Sequence, residues 1–157
     1  MTMYLAIKWI HILSSVVLVG TGFGSAYYLF FVNRSSNVAT QAIIGRLVVR
    51  ADWWFTSPTV IIQPVTGFIL AQMAGFPLTT PWLVTSIGLF ALAGICWIPV
   101  VWLQIRMAAM AEEAVRMETQ LPDAYWRYAK WWERLGYPAF VAMLGIFYLM
   151  VAKPVLP

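Results

Sequence analysis

The stretch WWFTSPTVIIQPVTGFILAQMAGFPLTTPWLVTSIGLFALAGICWIPVVWLQI, residues 53–105, contains no charged side chain. A charge at the centre of a bilayer costs about 2.5–3.5 kcal/mol on insertion scales, so a run of this length is what a hydrocarbon solvent selects. Moving outward, residues 9–33 and 135–152 are uncharged as well. A spanning helix needs about 20 mostly apolar residues. Gly75-Phe76-Pro77-Leu78-Thr79-Thr80-Pro81 breaks the central run. Four spans result, over residues 4–32, 53–73, 82–106 and 135–152. The expected fold is all-α: an integral membrane four-helix bundle forming one domain over residues 1–157. With 62% apolar and 10% charged residues the chain departs from soluble domains, in which about 25% of residues are charged.

The net charge of +4 sits at helix ends and in connections. Arg34, Arg46 and Arg50 follow the first span, and Arg106, Arg116, Arg127, Lys130 and Arg134 lie between the third and fourth, leaving only Lys8 and Lys153 elsewhere. The positive-inside rule makes both connections cytoplasmic and puts both termini, and the 75–81 turn, on the outside. The N-terminus lacks the basic region of a cleaved signal, and its apolar stretch is too long for one, so span one reads as retained.

Each connection should hold an interfacial amphipathic helix. Residues 43–50 carry Arg46 and Arg50 four apart on one face, as a helix in the headgroup layer would. Tyr125, Trp126, Arg127, Tyr128, Lys130, Trp131 and Trp132 mix aromatic and basic groups. Trp and Tyr favour the headgroup level, so a membrane interface is the reading and nucleic acid is not an expected partner. Asp52, after two arginines and before Trp53, reads as the N-terminal cap of span two. The single cysteine, Cys96, is mid-span and leaves no disulfide, thiolate cluster or c-type haem motif. The chain offers no intramembrane carboxylate pair, no Ser-His-Asp set and no zinc-protease motif, which removes hydrolytic chemistry. A small-molecule or metal transporter is a third, weaker reading, because paired broken helices and intramembrane charges are missing.

The one histidine, His11, lies inside span one. Intramembrane ionisable groups usually face the bundle interior, and neutral imidazole is the common proximal ligand of haem iron. At 3.6 residues per turn Tyr4, Lys8, His11, Ser15, Leu18 and Gly22 form one stripe, with Lys8 a turn outward where a propionate would need a cation. The competing reading is a histidine bonded across helices, with Lys8 snorkelling to the interface. Gly20, Gly22 and Gly24 cannot be a dinucleotide fingerprint in mid-helix; Gly20 and Gly24 have the small-x-x-x-small spacing of close helix packing, or make room for a cofactor plane. Antiparallel depth brings Met73 and Met150 forward as second axial ligands, and Gln72, Ser86 and Tyr148 as hydrogen-bonding groups. A five-coordinate haem or a ligand from a second subunit fits equally well. Gln63 and Gln104 are further polar groups able to bond across helices.

Lys8-Trp9-Ile10-His11-Ile12-Leu13, Arg46 with Thr56-Ser57-Pro58, and Met150-Val151-Ala152-Lys153-Pro154 resemble the corresponding parts of HemJ-type protoporphyrinogen IX oxidases. The likeness is closer to a bacterial family of predicted integral membrane proteins known only as a domain of unknown function. The resemblance implies one b-type haem per chain, with His11 as the iron ligand. Those enzymes have a basic residue early in span three, where this chain reads Trp82-Leu83-Val84-Thr85-Ser86, so protoporphyrinogen oxidation is not expected. The resulting expectation is a haem protein of a bacterial inner membrane with an electron-transfer or haem-related redox role, homo-oligomeric, with a membrane or periplasmic redox partner. The site would be His11 with Lys8, Ser15 and Gly22. The alternative is a haem-free accessory or assembly protein acting through helix–helix contacts.

Overall fold

The computed structural model describes residues 2–154, and among them every regular element is helical. Helix α1 spans Met3–Val32, α2 Val38–Ala51, α3 Ser57–Met73, α4 Pro81–Arg116 and α5 Asp123–Ala152. Four helical stretches are long and apolar enough to cross a membrane: α1, the unit Val38–Met73, α4 and α5.

Local chemistry sets most of the ends. Asn37 caps α2, its side-chain oxygen accepting from the Thr40 amide at 2.9 Å. Pro81 opens α4, where a missing N–H costs nothing. Gly75, at φ +72°, supplies the left-handed residue after α3, and the Phe76 amide then reaches back to the Ala71 carbonyl at 3.0 Å.

The structure differs from the sequence expectation at both basic connections. Residues 43–50 do form a helix with exposed arginines, but α2 runs on into α3 through a π-helical turn, Asp52–Thr56, in which the Ser57 amide donates to the Asp52 carbonyl. Asp52 is therefore inside a continuous helix and not at its cap. The aromatic and basic residues 125–132 are likewise the opening turns of α5 and not a separate interfacial helix. With 36 residues at 1.5 Å each, α4 is about 54 Å long against a hydrocarbon core of about 30 Å, so the helices continue well past the apolar layer at the basic end.

Packing divides the molecule into two layers. Helix α4 pairs with α5 along its length and α2 lies across the basic half of α4, whereas α3 pairs with α1. Helix α3 meets α4 and α5 only at the turn end, through Ala71, and α1 touches α5 only sparingly. The main core lies at the basic end, where Leu29, Val48, Met107, Ala111, Tyr125 and Trp132 are buried together. A smaller cluster of Ala71, Trp82, Leu83 and Leu149 closes the opposite end, beside the 75–81 turn. Exposed Trp9, Trp53, Trp54 and Trp131 stand on the outer surface.

Candidate functional site

His11 is half-buried on the face of α1 that meets α3. Its Nδ1 lies 2.7 Å from Thr66 Oγ1. Thr66 is one turn beyond Ile62, and its hydroxyl donates to the Ile62 carbonyl at 2.6 Å. A hydroxyl has one proton, so with that proton on the carbonyl, Thr66 Oγ1 accepts from His11 Nδ1–H. The network thus assigns the tautomer in which Nε2 carries the lone pair. Among the described residues no side chain or backbone group bonds Nε2.

The backbone around His11 is held as firmly as its ring. Gln63 Nε2 donates to the His11 carbonyl at 2.8 Å and to Ser14 Oγ at 2.5 Å. Gly67 faces the imidazole, and a Cβ there would stand 3.3 Å from its Cε1. Gln63, Thr66 and Gly67 thus form a seat on one face of α3 for one side chain of α1. Of these only Gln63 was visible as a polar group; Thr66 and Gly67 are ordinary membrane-helix residues until paired with His11.

The rest of the expected stripe does not converge on His11. Lys8 is exposed, with its ammonium 5.8 Å from the Tyr4 ring centroid, at the rim of what a cation–π contact allows. Ser15 returns its hydroxyl to the Ile12 carbonyl at 2.7 Å. Gly22 borders a different space, described below, which neither His11 nor Lys8 nor Ser15 lines. Ser86 is buried and bonds the Trp82 carbonyl at 2.8 Å; Met150 packs against the cluster at the turn end; Gln72, Met73 and Tyr148 are exposed. Gly20, Gly22 and Gly24 meet no heavy atom within 4 Å of an added Cβ, so among the described residues no other helix closes on the glycine stripe. Cys96 is a buried free thiol, and no group of three or more His, Cys, Asp or Glu side chains suited to a metal occurs among the described residues.

A second constellation lies on the basic side of mid-bundle. A cavity of about 440 Å³ separates α1 from α4 and α5. Its walls are apolar and strongly aromatic, with Phe23, Tyr27 and Phe30 from α1, Phe90 and Trp97 from α4, and Phe140 from α5. At one end stand Asp52, Thr56, Gln104 and Trp132. Asp52 is 4% exposed. Its Oδ1 accepts from Thr56 Oγ1 at 2.9 Å, a pair one turn apart within the π-helical stretch. In the amide orientation that satisfies both neighbours, Gln104 donates to Asp52 Oδ2 at 2.6 Å and accepts from Trp132 Nε1 at 3.2 Å. Inserted π-helical turns often mark functional positions, and here the turn carries the carboxylate to the cavity. The sequence masked it, because an Asp between arginines and tryptophans has the same local signature as a helix cap.

The family described as "Predicted integral membrane protein (DUF2269)" matches residues 5–154. No curated protein and no solved structure matches. Four apolar helices of spanning length, most of the basic residues gathered at one end and a family match over nearly all of the chain agree, and this protein belongs to that family of integral membrane proteins.

Proposed function

We propose that the protein binds one b-type haem through His11 Nε2 and takes part in electron transfer or another haem-related redox process in a bacterial inner membrane. The observation that carries this reading is the 2.7 Å contact of His11 Nδ1 with Thr66 Oγ1, whose own proton goes to the Ile62 carbonyl: it makes Nδ1 the donor and leaves the Nε2 lone pair without a protein partner among the described residues. Histidines that ligate metals characteristically donate their other ring N–H to an oxygen in this way, which fixes the ring and raises its basicity. The likeness of residues 8–13 to HemJ-type enzymes adds to it.

The donor fits the group, and the surroundings define what one chain supplies. The cavity of this chain does not extend to His11. His11 therefore provides ligation and orientation, while the remaining cover comes from a second copy of the chain, in keeping with the expected homo-oligomer. Lys8, exposed one turn toward the N-terminus, is free to meet a propionate. Bound iron would supply one-electron chemistry; the residues of the chain hold its ligand in one tautomer. By the positive-inside rule the His11 end of α1 faces outward, toward a membrane or periplasmic redox partner.

The second reading, a haem-free accessory protein, is favoured by the same contacts taken as helix glue, because the His11–Thr66 and Gln63–Ser14 bonds tie α1 to α3. Absorption spectra of the detergent-purified protein, oxidised and dithionite-reduced, with a pyridine haemochrome assay, separate the two. Haem predicts a stoichiometric b-type spectrum that His11→Ala abolishes while the helical circular dichroism persists. A protein that stays colourless after expression with excess haem overturns the reading and leaves the accessory role.

A further inference from the structure

The aromatic cavity and its buried carboxylate lie outside the His11 site and have no part in the reading above. Three observations define what they would take.

First, Asp52 has unmet demand. An ionised carboxylate offers about four acceptor sites, and the side chains of Thr56 and Gln104 each fill one. Both neighbours donate, as they would to a carboxylate. No cation approaches within 4 Å: the ion pairs among the described residues are Arg34 with Glu133, Arg46 with Glu112, and Arg116 with Glu113. The contrast with Glu133 is direct, because that residue also borders the cavity and is answered by Arg34 at 3.1 Å. A carboxylate removed from water without a counter-charge is costly, so the site is electrostatically incomplete.

Second, the cavity is reachable from lipid. Its lining residues on α4 are buried or half-buried, whereas Phe23, Tyr27 and Phe31 on α1 and Tyr137 and Phe140 on α5 are exposed. The mouth therefore opens between α1 and α5, onto the surface that faces the bilayer. There the Phe23 and Phe140 rings stack with centroids 5.4 Å apart, and the Arg34–Glu133 pair closes the basic end. Third, the volume is in the range of small-molecule sites, and aromatic faces attract organic cations as well as apolar bodies.

We propose that this cavity is a binding site for a lipophilic organic cation, a protonated amine with an apolar body, which enters from the bilayer between α1 and α5 and sets its ammonium against Asp52. Charge complementarity selects this occupant over a lipid tail or a neutral apolar molecule, neither of which would answer the carboxylate. An ammonium also brings N–H donors, which the free lone pairs of Asp52 require.

The test compares 1-naphthylmethylammonium with its neutral counterpart 1-naphthylmethanol by equilibrium dialysis against the detergent-purified full chain at neutral pH. The two share shape and apolar surface and differ in charge. The amine should bind saturably and roughly tenfold or more tighter than the alcohol, the scale of a charge-assisted hydrogen bond in a desolvated site. Asp52→Asn should erase that preference. Gly94 borders the cavity and an added Cβ there meets nothing within 4 Å, so Gly94→Leu should fill the space and remove binding of both probes with the thermal midpoint retained. Equal affinity of the two probes for the unaltered protein, or no saturable binding of the amine, overturns the proposal without recourse to any variant. A preference for the amine that survives Asp52→Asn overturns the role of the carboxylate. None of these readouts depends on haem.

Discussion

Helices α4 and α5 face each other in two contrasting ways, between Met107 and Trp132 at the basic end and again farther along, where Phe90–Val100 and Gly136–Met143 border the cavity. At the basic end the interface is dry and closed: Ala111 is 0% exposed, Met107 and Tyr125 1%, and α2 lies across α4 so closely that a Cβ on Gly45 would stand 3.4 Å from the Ala108 Cα. Farther along, the third wall is missing. Past the π-helical turn the chain leaves α4 and packs against α1, returning to α4 only at Ala71 beside the 75–81 turn, so the wedge between the layers stays open in between. Small residues have opposite meanings in the two regions. At the basic end Gly45, Ala108 and Ala111 are small because another helix is there; Gly22, Gly94 and Gly136 border open space. One region specifies the fold, and the other is left available to a ligand.

The largest effect should come from crowding the closed interface. Ala111→Leu adds three carbons where no atom is exposed, and overpacking of this kind costs about 1–3 kcal/mol or more. Thermal unfolding in detergent, followed by tryptophan fluorescence, should show a clearly lowered midpoint or loss of a monodisperse species. An unaltered midpoint would mean that α2 and α4 are not packed as described.

Tyr125→Phe should follow. Tyr125 is 1% exposed, and its hydroxyl donates to Asn33 Oδ1 at 2.6 Å, tying the end of α1 to α5. Asn33 Nδ2 is already buried without a partner among the described residues, so removing the hydroxyl leaves its amide without either bond. Leaving a buried acceptor unsatisfied costs about 1–3 kcal/mol. The same unfolding measurement should find the midpoint lowered, and Asn33→Leu in the Phe background should recover part of the loss, since an apolar pair has no unmet demand.

The spans were more legible than either region. Charge-free runs, the glycine and prolines of the 75–81 turn and the basic connections identify four spans because each is a property of consecutive residues. The seat of His11 was half legible: helical spacing isolates the histidine and Gln63 stands out, but Thr66 and Gly67 acquire meaning only through the pairing of α1 with α3. The stripe joining Lys8, Ser15 and Gly22 to His11 treated one helix as if a single partner faced it. In the structure α1 turns His11 to α3 and Gly22 to the opening. Asp52 was misread for a related reason. Its neighbours in sequence describe a cap, and only the π-helical continuation from α2 into α3 turns it into a buried carboxylate. A cavity is a relation among helices distant in the chain, and no local pattern encodes it.

The smallest effect expected is also the sharpest on this comparison. Gly22→Ala adds one methyl group to α1 at a position where nothing lies within 4 Å. Helix propensity favours alanine over glycine by about 1 kcal/mol, and no clash opposes it, so the unfolding midpoint should stay level or rise slightly. Gly45→Ala makes the same chemical change with the same propensity gain but meets the Ala108 backbone at 3.4 Å, ordinary contact with nothing to spare for anything larger. Extending each to valine separates the regions: Gly22→Val should stay level or rise slightly, because a β-branched residue costs a helix less than glycine does, while Gly45→Val should fall by about 1–3 kcal/mol, as is typical of overpacking. Equal losses at both positions would mean that the opening beside Gly22 is closed in the membrane-embedded protein, either by movement of α1 onto α4 and α5 or by a second chain. That result would remove the cavity from consideration as a ligand site.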